Sequence, residues 1–160
     1  MRFPILTPEE AADLFYNDCN CGFSGFTAPG APKMVTQAIA AKAERLHEQG
    51  EPFKINIVTG ASTSDLCDGM LARANAIGRR TPYQNHPDLR KRINSHDAHY
   101  FDLHLSETAQ KLRYGQIGEI DIAIIEVCDI KDDGTAVVGT GVGNVPTIAK
   151  MAKRVIIELN

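Results

Sequence analysis

Three segments of this 160-residue chain bring glycine, hydroxyl and free-amide chemistry together where apolar runs give way to helical patterns. The first is Gly22-Phe23-Ser24-Gly25-Phe26-Thr27-Ala28-Pro29-Gly30-Ala31-Pro32-Lys33; the others are Thr59-Gly60-Ala61-Ser62-Thr63 and Gly139-Thr140-Gly141-Val142-Gly143-Asn144-Val145-Pro146. Glycine lets backbone approach a bound group closely. Ser24 and Thr27 offer hydroxyls, and a helix opening near Pro32 would turn its free N–H groups and positive dipole end toward the loop. That combination suits a small anion.

Taken singly, the candidates divide. Ser62 could hydrogen-bond a carboxylate while neighbouring amides share its charge, or it could cap the helix that follows; residue type alone does not choose. No Gly-x-Ser-x-Gly elbow surrounds it, which argues against a hydrolase triad. Glu126 closes an apolar run, where a carboxylate either acts in catalysis or binds loop amides, the structural role being favoured. The run Gly139-Thr140-Gly141-Val142-Gly143 lacks the Gly-x-Gly-x-x-Gly spacing of a dinucleotide loop. His86, His96, His99 and His104 crowd one region without a convincing third ligand, so no metal site is expected. Tyr83, Tyr100 and Phe101 read as packing residues.

Positioning these loops requires alternating strands and helices. Thr7-Pro8-Glu9-Glu10 is a capping box with proline at the first helical position, predicting a helix over 8–16. A strand over 20–26 follows, then the longest helix, marked by Val35, Ile39, Ala43 and Leu46 and stopped at Gly50. A strand over 53–58 leads to a helix over 65–76 with Leu66, Met70 and Ala74 on one side. A short strand near Arg80, a short helix over 87–93, and a helix carrying Leu105, Ala109 and Leu112 with Ser106 as N-cap come next. The run over 120–127, apolar on both faces at Ile122-Ala123-Ile124-Ile125, predicts a central parallel strand. A short strand over 136–138, a helix over 145–152 and a buried final strand over 155–159 complete an α/β three-layer sandwich with a mostly parallel sheet. In such a sheet, ligands gather beyond the carboxyl ends of the strands.

Composition excludes several classes. With 43% hydrophobic and 23% charged residues the chain has the makeup of one ordinary globular domain. A net charge of -3 excludes a broad nucleic-acid surface, and Arg90-Lys91-Arg92 reads as a solvated helix face. No signal peptide or membrane-length apolar window is present, so a cytoplasmic protein without a membrane partner is expected. Cys19, Cys21, Cys67 and Cys128 lack the paired spacing of a structural zinc site and read as reduced, mostly buried thiols.

Several blocks, in order, carry a family likeness: Ser24-Gly25-Phe26-Thr27 with Pro32-Lys33, Thr59-Gly60-Ala61-Ser62, Pro82-Tyr83-Gln84, residues 89–94, 101–106 and 120–126, Gly143-Asn144 and residues 155–160. With these the chain resembles the N-terminal part of the acetyl-CoA hydrolase/transferase family. The resemblance implies a CoA-transferase-like fold and class I chemistry: a glutamate carboxylate attacks an acyl-CoA thioester, and CoA passes through a glutamyl thioester to a second carboxylate. It implies acyl-CoA and a small carboxylate as partners, coenzyme A as substrate rather than a permanent cofactor, and a homo-oligomer. It further implies that the nucleophilic glutamate lies in a complementary C-terminal domain, so that residues 1–160 are an incomplete N-terminal domain, inactive alone and holding no catalytic residue. The part left to this chain is the substrate-binding wall: Gly25, Phe26, Thr27, Gly60, Ala61, Ser62, Gly141, Gly143 and Asn144, with Ser62 foremost. The segment Asn17-Asp18-Cys19-Asn20-Cys21 departs from the family pattern at the entry to the first strand. The alternative is a non-enzymatic α/β protein that binds a small anion.

Overall fold

A computed structural model describes residues 3–61 and 63–160. Its first helix, α1 (Pro8–Asp13), starts as the capping box dictates: the Glu10 N–H donates to Thr7 Oγ1 at 3.2 Å and the Thr7 N–H to Glu10 Oε2 at 2.8 Å. It ends before residue 16, where Leu14 closes it and Phe15 turns into the core. There follow, in chain order, β1 (Asn20–Phe23), α2 (Met34–Glu48), β2 (Ile55–Val58), a π-helical turn (Asp65–Gly69) running into α3 (Met70–Arg73), β3 (Ile77–Thr81), α4 (Pro87–Asn94), β4 (His99–Tyr100), α5 (Leu105–Arg113), β5 (Ile120–Val127), β6 (Asp129–Ile130), β7 (Ala136–Val137), α6 (Val145–Met151) and β8 (Ala152–Leu159).

Among the described residues six strands form one sheet in the order β4-β3-β2-β1-β5-β8, every neighbouring pair parallel. The chain therefore builds outward from β1 to β4, then returns to lay β5 and β8 on the other side of β1. The junction of β1 and β5 is the point where strand order reverses, the place where an open α/β sheet ordinarily binds its ligand. Two cores sandwich the sheet. Phe23, Ile57, Ile122 and Ile124 pack under α1 to α4, while Ala123, Ile125 and Val127 pack under α5 and α6 through Leu112 and Ile148. From Ile122 to Ile125 the residues alternate between the two cores, the expected mark of a strand covered on both faces.

Several expectations need correction. β8 is not buried: among the described residues it pairs on one side only, with β5, and Val155 and Leu159 are 41% and 63% exposed. The short strand after Asp132-Asp133-Gly134 belongs to an antiparallel hairpin with β6, which the two-residue length of β6 had hidden. Ser106 does not cap α5; His104 stands at that position, one residue before the helix begins.

The helix expected over 65–76 splits into the π turn and a short α3, which rotates Leu66 out to solvent and Asp68 into the core. There Asp68 meets Arg80 of β3, both fully buried: the guanidinium donates from Nε to Oδ1 at 2.8 Å and from Nη2 to Oδ2 at 3.3 Å. A buried charge demands such a partner, and satisfying it outweighs regular helical geometry.

Candidate functional site

β1 ends at Phe23, and the loop beyond it does not run free. Ser24 is buried, its hydroxyl donating to the Gly30 carbonyl at 2.6 Å and accepting the Glu126 N–H at 2.9 Å. It therefore bolts the loop to the end of β5 and is not the ligand hydroxyl the sequence suggested. Within the loop the Phe26 N–H donates to Pro29 O at 3.0 Å, and the Thr27 N–H reaches across to Ala61 O at 2.9 Å. Thr27 sits at φ +54°, a left-handed conformation that costs a β-branched residue about 1–2 kcal/mol. Phe26 and Thr27 are exposed at the loop tip.

The three glycine loops do converge. Phe26 forms a parallel bridge with Ala61. A Cβ on Gly141 would stand 2.2 Å from Pro29 O, and one on Gly60 3.4 Å from the Asn144 N and 3.6 Å from Gly25 O. Gly25, Gly60 and Gly141 are buried, whereas Gly143 is exposed and Asn144 partly so. The glycines thus serve first to let backbone lie on backbone, and the exposed rim of Phe26, Thr27, Val142 and Gly143 is what remains open to a ligand. Asn144 holds the N-cap position of α6 without a side-chain capping bond. Ser62 lies outside the described residues.

The start of α2 overturns another expectation. Its N–H groups are not offered to a ligand; Glu158 of β8 takes them. Glu158 Oε1 accepts from the Lys33 N–H at 2.6 Å and the Met34 N–H at 3.1 Å, and Oε2 from the Val35 N–H at 3.2 Å. Lys33 Nζ donates to Glu126 Oε2 at 2.5 Å. Glu126 and Glu158 face each other in the β5–β8 register. Glu126 therefore plays a structural part, but its partner is an ammonium rather than loop amides. No local spacing announces either contact.

Three further polar atoms lie at the carboxyl ends of β2 and β3. Ser64 Oγ, Thr81 Oγ1 and Gln84 Oε1 are buried without a hydrogen-bond partner, whereas a fourth such atom, Asn75 Oδ1, precedes β3 at the opposite end. Buried polar atoms without partners are uncommon, and three at one edge add hydrogen-bonding capacity beside the glycine loops.

The remaining candidates fall elsewhere. Among the described residues no group of three metal-ligating side chains assembles. His86 caps α4, accepting the Asp88 N–H at 3.3 Å, and its Nε2 lies 3.2 Å from Asp65 Oδ1; His96, His99 and His104 are exposed. Tyr83, expected to pack, is 45% exposed. Arg90 and Lys91 are solvated, while Arg92 donates from Nε to Ala72 O at 2.9 Å. Cys19, Cys21 and Cys67 are buried and Cys128 is exposed. Burial pushes the Cys21 and Cys67 thiols well above their ordinary value, whereas a hydrogen bond from Cys21 lowers that of Cys19. Concavities of about 310 and 390 Å³ lie on the flanks of α5 and α4, lined by charged surface residues without convergent chemistry. No helix among the described residues is long and apolar enough to cross a membrane.

Comparison with known proteins supplies the remaining context. Residues 4–160 match the family model described as the acetyl-CoA hydrolase/transferase N-terminal domain. The chain is 44% identical over 155 residues to the propanoyl-CoA:succinate CoA transferase of Escherichia coli, covering 97% of this chain and 32% of that protein. It is 42% identical over 156 residues to the succinyl-CoA:acetate CoA-transferase of Clostridium kluyveri, covering 98% and 28%. The chain thus spans about a third of the length of these relatives. Among solved structures, an acyl-CoA transferase from E. coli O157:H7, determined as a thioester complex with CoA, superposes with a TM-score of 0.75 at 12% identity, covering 98% of this chain and 43% of that one.

Proposed function

Because the chain belongs to the acetyl-CoA hydrolase/transferase family, as its N-terminal domain, we propose that it builds the carboxylate-binding wall of an acyl-CoA:carboxylate CoA-transferase or acetyl-CoA hydrolase. The observation that carries this reading is the convergence of Gly25-Phe26-Thr27, Gly60-Ala61 and Gly141 to Asn144 at the reversal point of strand order. Exposed backbone at that rim can hold a substrate carboxylate and stabilise oxyanion charge as it develops. Ser62, between Ala61 and Thr63, is assigned to the carboxylate.

The nucleophile belongs to a following domain in this reading. Its glutamate carboxylate attacks the thioester carbonyl, forming an acyl-glutamyl anhydride and releasing CoA thiolate. The thiolate then attacks the glutamyl carbonyl, giving a glutamyl-CoA thioester and freeing the first acid. The incoming carboxylate attacks that thioester and leaves with CoA after the reverse exchange, water replacing it in a hydrolase. CoA enters as substrate, and no permanently bound cofactor is invoked. A cytoplasmic homo-oligomer is the proposed setting.

The test is a two-part assay. The 160-residue chain alone should not turn over acetyl-CoA in the presence of succinate or acetate, and the protein completed by its C-terminal domain should. In the complete protein, Ser62→Ala should raise the carboxylate concentration needed for half-maximal rate while leaving the fold intact. An unchanged dependence on carboxylate would remove Ser62 from the site, and a well-folded complete protein without transfer or hydrolysis would favour simple anion binding.

A further inference from the structure

The loop that crosses from β1 to α2 is held by residues that no local pattern connects to it. α2 lacks the side-chain cap that its own N-cap residue would ordinarily provide, Lys33 standing where Ser, Thr, Asp or Asn is preferred. Glu158 supplies the cap from β8, using both carboxylate oxygens on three successive N–H groups. These are charge-assisted bonds, strengthened by the positive end of a 15-residue helix.

Glu158 does not stand alone. Glu126 lies opposite it in the β5–β8 register, and like charges so placed repel. Lys33 resolves the conflict: its ammonium binds Glu126 while its N–H binds Glu158. One lysine therefore joins both carboxylates to the final residue of the loop. At the loop's other end Ser24 ties Gly30 to the backbone of Glu126. These tethers originate in β5 and β8, whereas the tip is held from the other side, where Phe26 and Thr27 meet Ala61.

We propose that Glu158, acting with the Lys33–Glu126 pair, is a positioning residue of the candidate site, fixing the loop so that the Phe26 and Thr27 backbone is presented at the rim. The kinetic part of this inference rests on the transferase reading above; the structural part does not. It assigns the N-terminus of α2 to an internal carboxylate, so the α2 dipole is not what meets substrate charge.

The experiment compares Glu158→Gln with wild type in the complete protein. Glutamine keeps the shape but removes the charge and one of the two acceptors. Amide exchange at Lys33, Met34 and Val35 should accelerate, and so should exchange at Phe26 and Thr27, whose N–H groups are bonded in the ordered loop. KM for the carboxylate should rise about tenfold while KM for acyl-CoA stays within twofold. Lys153→Ala, which removes the ion pairs to Asp121 and Glu119 at the opposite end of β5 and β8, should leave both unchanged. Glu126→Gln supplies the same readouts should Glu158→Gln fail to fold. Faster exchange confined to residues 33–35, or an unaltered carboxylate KM in an active enzyme, would reduce Glu158 to a helix cap and overturn the proposal. If the wild-type complete protein proves inactive, the transferase reading fails and exchange at Phe26 and Thr27 alone decides this one.

Discussion

Replacing Asp68 with leucine would leave the Arg80 guanidinium in the core without its carboxylate. Both side chains are 0% exposed, so no solvent can take the place of the missing charge. Burial opposes the guanidinium's charge, yet the charge of Asp68 and its hydrogen bond hold the Arg80 pKa above its ordinary value. Removing one partner of a buried pair costs about 3–5 kcal/mol. At about 2–4 °C per kcal/mol for a domain of this size, the midpoint of thermal unfolding should fall by roughly 6–20 °C. Arg80→Leu should do comparable damage by stranding Asp68, and it also removes the Nη1 bond to the Thr81 carbonyl.

The double variant separates this account from simple loss of packing. With both charges gone, the Thr81 carbonyl still accepts the Thr59 N–H at 3.3 Å, and only the lost Arg80 bond, about 0.5–1.5 kcal/mol, remains uncompensated. The double substitution should therefore be milder than either single one. Calorimetric scans of the four proteins at neutral pH would supply the cycle. Singles within about 1 kcal/mol of wild type, or a double variant whose loss equals the sum of the singles, would refute the reasoning.

Gly141→Ala should disturb the site without unfolding the domain, since the new methyl meets the Pro29 carbonyl at 2.2 Å and backbone must yield; about 1–3 kcal/mol of destabilisation and lost exchange protection at Phe26 are expected in calorimetry and NMR. Under native conditions an alkylating reagent should modify Cys128 and spare Cys21 and Cys67 until denaturant is added, as peptide mapping would reveal. The hydrogen bond from Arg73, assisted by the charge of Arg73, holds the Asp65 carboxyl below its ordinary value despite some desolvation. Because the folded value is the lower one, its contribution to stability is complete above the ordinary aspartate range and is lost as pH falls through the folded value. Asp65→Asn should accordingly flatten the acid limb of a stability-against-pH curve, most visibly below about pH 4.

What the sequence revealed depended on how far apart the partners lie. The Thr7–Glu10 box, the two-faced β5 and the glycine loops are written in neighbouring residues, and each appears where expected. The hold of Glu158 on Lys33 spans 125 residues and exists only because the strand order sets β8 beside β5 and β5 beside β1. Arg80 lies on its expected strand, but nothing in its neighbours marks it as buried, because its partner sits in a turn whose apolar spacing is that of an α-helix. The exposed face of β8 was missed for a related reason. An edge strand carries apolar residues much like a central one, and only the pairing pattern distinguishes them.

The tethering of the first loop also bears on when it can form. Residues 24–33 are synthesised well before the groups that fix them, which stand 93, 102 and 125 residues further on. At about 5–20 residues per second, roughly 6–25 s of synthesis separate Lys33 from Glu158. During that interval α2 can assemble, but its first turn lacks the Glu158 cap, and the loop before it has only the Ala61 contacts until Glu126 follows. The wall of the site is thus finished by β8, and a nascent chain halted before that strand would hold the glycine loop without the shape that gives it meaning.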